Sequence, residues 1–490
     1  MTFFRYLPEH DLSIFYINYD RLPLLDRAIE DLHGEGVLKR SLDYAFQRPC
    51  AKHRVISLNG KGCLCRIREG EARWGKPIAI LQDLQGPKLR LGAFEGGSVR
   101  LDTGSRFTFT TRPVTGDARR AAISHPELLG AVKPGDLVWI DDGIVQLVVD
   151  AVGSGEIRCR VATGGIVSDH KGISLPGVPL PISGLTLKDR EDLRFGILHG
   201  VDYIAVSFVR SAADIRQVRE VLSEAGADLP LVAKLERSEA VANIEEVLAS
   251  VDAVMVARGD LGMDVPLEDV PLIQKEVIRR ARAAKIPAIV ATQMLESMVE
   301  HARPTRAEVS DVATAIFDGT DAVMLSAETA TGAHPVEAVE LMARIAERAE
   351  RSVPRPSAEP GRRAEASGFS EAVADAACHA ARMLEARAIV AFTQSGFTAR
   401  LMSGDRPEVP IIALTPSEKV MRRLALFWGV SSRLIRKAET TDEMIEEVEA
   451  TLLKDGSVKN NDVLVIVSGA PMWVSGTTNL MKLHRIGERR

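Results

Sequence analysis

The chain has 490 residues, 46 % hydrophobic and 26 % charged, with a formal net charge of −5. That length accommodates about two to four domains, the mild negative charge excludes a global basic field for nucleic acid, and no apolar run of about 18 residues offers a membrane-spanning helix. No basic region followed by an apolar stretch and a cleavage site opens the chain, and the five cysteines (Cys50, Cys63, Cys65, Cys159, Cys378) are odd in number and irregularly spaced, so a cytoplasmic, reducing location is expected.

Residues 1–70 carry no strand–turn–helix rhythm beyond a helix-like stretch at Leu22–Leu32 and stand as an atypical N-terminal segment. Cys63 and Cys65 have no second pair to complete a metal site. From residue 71 apolar runs recur: Ile78–Leu81, Tyr203–Ser207, Leu231–Leu235, Ala253–Ala257, Ala288–Thr292 and Ala322–Ser326. Helix-like segments such as Ser211–Glu224, Leu267–Ala284 and Arg306–Phe317 separate the later ones. Strand, helix and strand at this spacing mean right-handed βαβ units. Polar groups gather at the strands' C-terminal ends, where a (β/α)8 TIM barrel builds its active site. The expected barrel comprises residues 71–91 and 182–351, and two of its strands should precede Ile78, where none is recognisable.

Residues 92–181 interrupt the barrel. Short alternating segments (Phe107–Thr110, Leu137–Ile140, Val145–Val149, Ile157–Val161) and Gly-containing turns read as a small β domain inserted at the functional face. A polar, Pro-rich linker spans 352–367. Residues 368–490 then read as a C-terminal α/β domain, with a helix at Glu371–Leu384 and strands at Ile389–Phe392, Ile411–Leu414 and Val463–Val467. At a strand–helix turn there, the hydroxyls of Thr393, Ser395 and Thr398 suit a phosphate, and suit plain capping equally well.

The chemistry concentrates in Lys234-Leu-Glu236 and in Ala257-Arg-Gly259-Asp260. Residues two apart on a strand face the same side, so Lys234 and Glu236 project together from a run that is otherwise apolar. An ammonium beside two carboxylates, Glu236 and Asp260, suits a Mg²⁺ that must also hold an anionic substrate, because Mg²⁺ takes few protein carboxylates and completes its shell with water and substrate oxygens. A lone Lys–Glu pair on a strand is usually a structural ion pair; Asp260 and Thr292 at neighbouring strand ends reverse that expectation. Asp318 and Asp321 read as turn or capping residues, Met294 and Met298 as core, and Arg303 and Arg306 as exposed or at a subunit contact.

Six segments in order resemble pyruvate kinase: Lys234-Leu-Glu236, Met255 to Gly262, Ala291 to Met298, Arg303 to Glu308, Asp318 to Ser326 and Ser475-Gly-Thr-Thr-Asn479. The resemblance runs from about Gly75 to Met481. It implies phosphoryl transfer from phosphoenolpyruvate to ADP, with Mg²⁺ (or Mn²⁺) on Glu236 and Asp260. Lys234 would stabilise the enolate oxygen, and Gly259 and Asp260 would receive the substrate carboxylate. Thr292 would stand near the carbon that is protonated, and Arg90 and Lys171 would contact nucleotide phosphates. It further implies a β domain acting as a lid, a homotetramer, and a phosphorylated effector at Thr393, Ser395 and Thr398.

Two departures from the family stand out. Asp83-Leu-Gln-Gly-Pro-Lys88-Leu-Arg90 matches a monovalent-cation motif, but members that require K⁺ usually have Glu at the place of Lys88. The ammonium of Lys88 resembles that of the K⁺-independent subgroup, so activity without K⁺ is expected. The second departure is the loss of the family's first two strand motifs, including the arginine that holds the transferring phosphate. A shifted reading frame upstream of about Glu71, or a divergent N-terminus, would each account for it. The readings left are an active kinase, a homologue that binds ligands without turnover, and a Mg²⁺-dependent lyase.

Overall fold

The computed structural model describes residues 2–4, 14–18, 60–141, 143–178, 184–352, 368–438, 440–470 and 476–488. Leu22–Leu32, Cys50 and the side chain of Cys63 lie outside them. Strands β1 (Thr2–Phe4), β2 (Ile14–Asn18) and β3 (Ala79–Asp83) come first. The inserted unit holds β4 (Ser98–Leu101), β5 (Arg106–Thr110), β6 (Arg120–Ala122), β7 (Leu137–Ile140), β8 (Val145–Gly153), β9 (Glu156–Thr163), β10 (Gly165–Ser168) and β11 (Ile173–Ser174). Then come β12 (Tyr203–Val206), β13 (Leu231–Leu235), β14 (Ala253–Ala257), β15 (Ala288–Ala291) and β16 (Ala322–Leu325).

Eight strands close a barrel in the order β1-β16-β15-β14-β13-β12-β3-β2. The two strands that sequence reading could not locate are β1 and β2. β2 runs parallel to β3, whereas β1 is antiparallel to both β2 and β16. The stretch between Phe4 and Ile14 is shorter than the dozen or so residues a parallel crossover needs, so β1 and β2 can pair only as antiparallel neighbours. That also explains the miss: so short a stretch leaves no room for a crossover unit, and the rhythm that located the other six strands is absent. Residues 60–70 depart from the rhythmless reading too. Gly60–Trp74 is a helix whose Leu64 and Ile67 join the outer core.

Alternation along the strands makes two cores. Ile80, Ile204, Val206, Leu231, Ala233, Val254, Val290 and Val323 face outward against the helices. Ala79, Leu81, Tyr203, Ala205, Val232, Met255, Ile289 and Met324 fill the interior. Many interior residues are alanines, and the space they leave at the floor is taken by another domain: Ala425 and Leu426 belong to the same inner cluster, with Phe427 packed against it. The Tyr203 hydroxyl donates to the Arg423 carbonyl at 2.6 Å beside this plug. Around it, Arg422 pairs with Glu71 at 2.9 Å and Arg406 with Asp321 at 3.1 Å.

The plug belongs to a C-terminal sheet of β17 (Ala388–Phe392), β18 (Ile411–Thr415), β19 (Val430–Leu434), β20 (Val463–Ser468) and β21 (Leu480–Arg485), in the order β19-β18-β17-β20-β21. Its first four strands are parallel, and β21 is antiparallel to β20. The inserted unit has its own core around Phe107, Phe109, Ile140 and Leu147, built on a six-stranded sheet ordered β11-β7-β8-β9-β5-β6. Among the described residues no helix is long and apolar enough to cross a membrane.

Candidate active site

The apolar faces of β3, β12 and β13 fix which residues turn inward at the barrel's C-terminal mouth. Lys234 follows Val232 on the inward side of β13, and its Nζ lies 2.8 Å from Glu236 Oε1, 3.1 Å from Asp83 Oδ2 and 2.8 Å from Ser207 Oγ. Glu236 also accepts from the Phe208 backbone N–H at 2.6 Å. Ser207 Oγ lies 2.8 Å from the Leu84 carbonyl and 3.3 Å from Asp83 Oδ1. Burial alone would drive the Lys234 ammonium to lose its proton, but Asp83, Glu236 and Asp260 outweigh it and hold the pKa above the ordinary lysine value. The side chain therefore stays charged at every physiological pH. Sequence reading missed Ser207 as a functional group, although it ends one of the recurring apolar runs.

Glu236 behaves in the opposite way. Burial raises its pKa, Lys234 opposes that, and the nearby Asp260 adds to the rise, leaving it at about 7. Without a cation this carboxyl is half protonated near neutrality. Its folded pKa exceeds the ordinary 4.5, so its contribution to stability is full below that value and is lost as pH rises through about 7. A divalent cation would replace the missing proton. Mg²⁺ should therefore raise Tm more at about pH 8 than at about pH 6, in thermal unfolding with and without the ion. An equal shift at both values would rule out Glu236 as a ligand.

Asp260 sits at the end of β14 in the one-turn helix Arg258–Leu261 and is about one-third exposed, with the Lys88 ammonium 3.7 Å from its Oδ1. Glu236, Asp260 and Lys88 line one cleft with Phe208, Arg210 and Arg237. Glu236 and Asp260 fit a hard cation that takes its other ligands from water and substrate.

Three non-glycine residues in left-handed backbone surround this mouth: Phe208 (φ 54°), Thr292 (φ 70°) and Gln293 (φ 54°). A β-branched residue there is strained, and such strain persists only where its surroundings enforce it. Arg258 does so: its Nη2 donates to the Thr292 and Gln293 carbonyls at 2.7 and 3.3 Å, and Nη1 reaches Asp311 at 2.6 Å. The Thr292 hydroxyl accepts from Gly259 N–H at 2.8 Å and donates to the Ala291 carbonyl at 2.6 Å. The structure thus joins Gly259 to Thr292. Past the end of β3, Gly86 (φ +66°) presses against Ser207 and Phe208 so closely that a Cβ would lie 2.9 Å from the Phe208 ring.

Arg90 and Lys171 are neighbours on the two legs that carry the inserted unit, where Arg90 bridges Gly172. Arg90 donates to the His170 carbonyl at 3.1 Å and Lys171 pairs with Asp141 at 2.8 Å. In the C-terminal domain, Thr393 Oγ1 accepts from Gly396 N–H at 2.8 Å, the Thr398 hydroxyl meets that of Thr478 at 2.8 Å, and Ser395 is exposed. Met294 and Met298 are core residues, and Asp321 accepts from Ala288 N–H at a strand start.

A permanently charged ammonium, carboxylates suited to a hard cation and an overhanging unit with further cations are what transfer of a charged phosphoryl group calls for, and the barrel is that of a phosphotransferase. Residues 59–339 match the family model described as pyruvate kinase, barrel domain, and residues 371–484 match pyruvate kinase, alpha/beta domain. Among curated proteins, the chain is 44 % identical over 429 residues to pyruvate kinase of Geobacillus stearothermophilus, covering 87 % of this chain and 73 % of that one. It is 45 % identical over 424 residues to pyruvate kinase of Mycobacterium tuberculosis, covering 86 % and 89 %. A solved pyruvate kinase from Cryptosporidium parvum superposes with a TM-score of 0.80 at 31 % identity, over 97 % of this chain and 95 % of that one.

The chain belongs to the pyruvate kinase family. The shared region begins at residue 59, earlier than the motifs indicated, because the helix Gly60–Trp74 carries an outer-core pattern rather than polar motif residues. Membership in this family removes the lyase reading.

Proposed function

We propose that the chain transfers the phosphoryl group of phosphoenolpyruvate to ADP, giving pyruvate and ATP. The observation that carries this reading is the buried ammonium of Lys234 between Asp83 and Glu236. As the phosphoryl group leaves the enol oxygen, charge develops there, and a fixed ammonium stabilises it without reorganisation. Glu236 and Asp260 would hold Mg²⁺, or Mn²⁺ in its place, and the ion would neutralise charge on substrate oxygens. Gly259 and Asp260 would receive the substrate carboxylate. For Gly259 this means giving up the bond that its N–H makes to Thr292, and the hydroxyl would also have to release the Ala291 carbonyl to face the carbon being protonated. Arg90 and Lys171 would meet the ADP phosphates, and the inserted unit would close as a lid that excludes water.

The reading includes a homotetramer, a cytoplasmic location, a phosphorylated effector at Thr393, Ser395 and Thr398, and no role for nucleic acid or membrane. It also includes independence of K⁺, since the Lys88 ammonium beside Asp260 supplies a fixed positive charge at the mouth. Turnover should proceed in buffer free of K⁺ and Na⁺; a strict need for added K⁺ would contradict this.

The test is a coupled assay for pyruvate with the purified chain, phosphoenolpyruvate, ADP and Mg²⁺. A second reading, a homologue that binds ligands without turnover, is favoured by one observation: the family's Arg-x-Asn-x-Ser-His motif is absent before Gly75. A folded chain that binds ADP but forms no pyruvate would establish that reading.

A further inference from the structure

We infer that Arg237 is a positioning residue, a latch that fixes the lid's return leg to the two strand ends that carry Glu236 and Asp260. The inference rests on the phosphoryl-transfer reading. Arg237 follows Glu236 directly, and its side chain is only 12 % exposed. The three edges of the fork reach three places. Nη2 donates to the Val178 carbonyl at 3.1 Å, Nη1 forms an ion pair with Asp264 Oδ1 at 3.1 Å, and Nε donates to Glu239 at 3.2 Å.

Each place matters for the lid. Val178 is a member of the inserted unit's own core, so a bond to its carbonyl is a bond to the lid as a body. Asp264 lies four residues after Asp260 and is itself fixed, accepting from Ser238 N–H at 2.6 Å. Glu239 is in the short helix that begins right after Arg237. One planar cation thus sets the distance between lid, β13 end and β14 end, which a flexible ammonium with a single point of charge cannot do.

Among the described residues the lid also approaches the barrel at two glycines. A Cβ at Gly143 would lie 3.4 Å from the Met263 methyl, and one at Gly172 would lie 3.8 Å from Lys88 Cε. The other leg is tethered by Gly86 N–H to Asp189 at 3.1 Å. Arg237 supplies a directional, charge-assisted bond on the return leg. Lys171 and Arg90 ride on these legs, so their placement over the mouth follows the latch.

Arg237→Lys in the full-length chain tests this. The lysine retains the charge and can still meet Asp264, but it cannot also reach Val178 and Glu239. The expected result is a KM for ADP raised about tenfold with KM for phosphoenolpyruvate changed less than about twofold. Amide exchange at Leu91 and Ile173, whose N–H groups bond across the two legs to Lys171 and Leu89, should accelerate, while exchange in the C-terminal domain should not. Unchanged exchange with an unchanged KM for ADP would overturn the latch. A fall in Tm with all constants moving together would overturn it as well, since that is general destabilisation. If Arg237→Lys failed to fold, Arg237→Gln is read in the same way. A wild-type chain without turnover defeats the phosphoryl-transfer reading, and leg exchange alone then decides the latch.

Discussion

Lys234→Met should abolish most turnover, lowering kcat by about a thousandfold or more, the scale seen when a preorganised charge-stabilising donor is removed. Methionine nearly matches the length of lysine and fits a core, so the loss is one of charge rather than shape. Asp83 and Glu236 then share a buried site without their cation, and burial already holds both above the ordinary carboxyl value. Both should take up protons, and the Mg²⁺ dependence of Tm at neutral pH should weaken with them. Coupled-assay kinetics together with thermal unfolding check both arms. Turnover within about tenfold of wild type would mean that the ammonium is a structural pair and no more.

Leu426→Asp should be the most damaging substitution outside the site. Leu426 is completely buried in the inner barrel cluster although it belongs to the C-terminal domain. A carboxylate there has no partner among the apolar residues of that cluster, and an unpaired buried charge is among the few single changes that cost about 4 kcal/mol or more. Denaturant unfolding should show the barrel and the C-terminal domain losing stability together. If only the C-terminal transition moved, the plug would be peripheral to the barrel.

Much of this was legible because charge interrupts apolar runs. Lys234 lies on β13 and Glu236 just past its end, where a buried strand would otherwise carry Val or Leu, and the period of two places them on one side. Six strands announced themselves by the helices between them. What failed to show has physical causes. The stretch between β1 and β2 is too short for a crossover unit, so periodicity alone could not separate them from loop. Ser207 is a small polar residue at the end of an apolar run, and only its distance to Lys234 shows what it does. The strain at Thr292 and Gln293 depends on Arg258 reaching across from the neighbouring strand end, a contact more than thirty residues away in sequence. Asp83 and Lys88 share a segment that resembles a monovalent-cation motif, and only the structure shows Asp83 bonded to Lys234 while Lys88 leans to Asp260.

The plug at the barrel floor has a consequence for synthesis. Strands β3 and β12 to β16 leave the ribosome well before Ala425 and Leu426, and the linker and two strands of the last domain emerge in between. Until then alanines of the barrel interior face a gap, and the Tyr203 hydroxyl lacks the Arg423 carbonyl as its acceptor. The nascent chain must therefore wait with an unfinished core, exposed to proteases and to association with other copies. A stop codon anywhere between the barrel and Ala425 would remove more than an appended domain: it would leave the barrel without its floor.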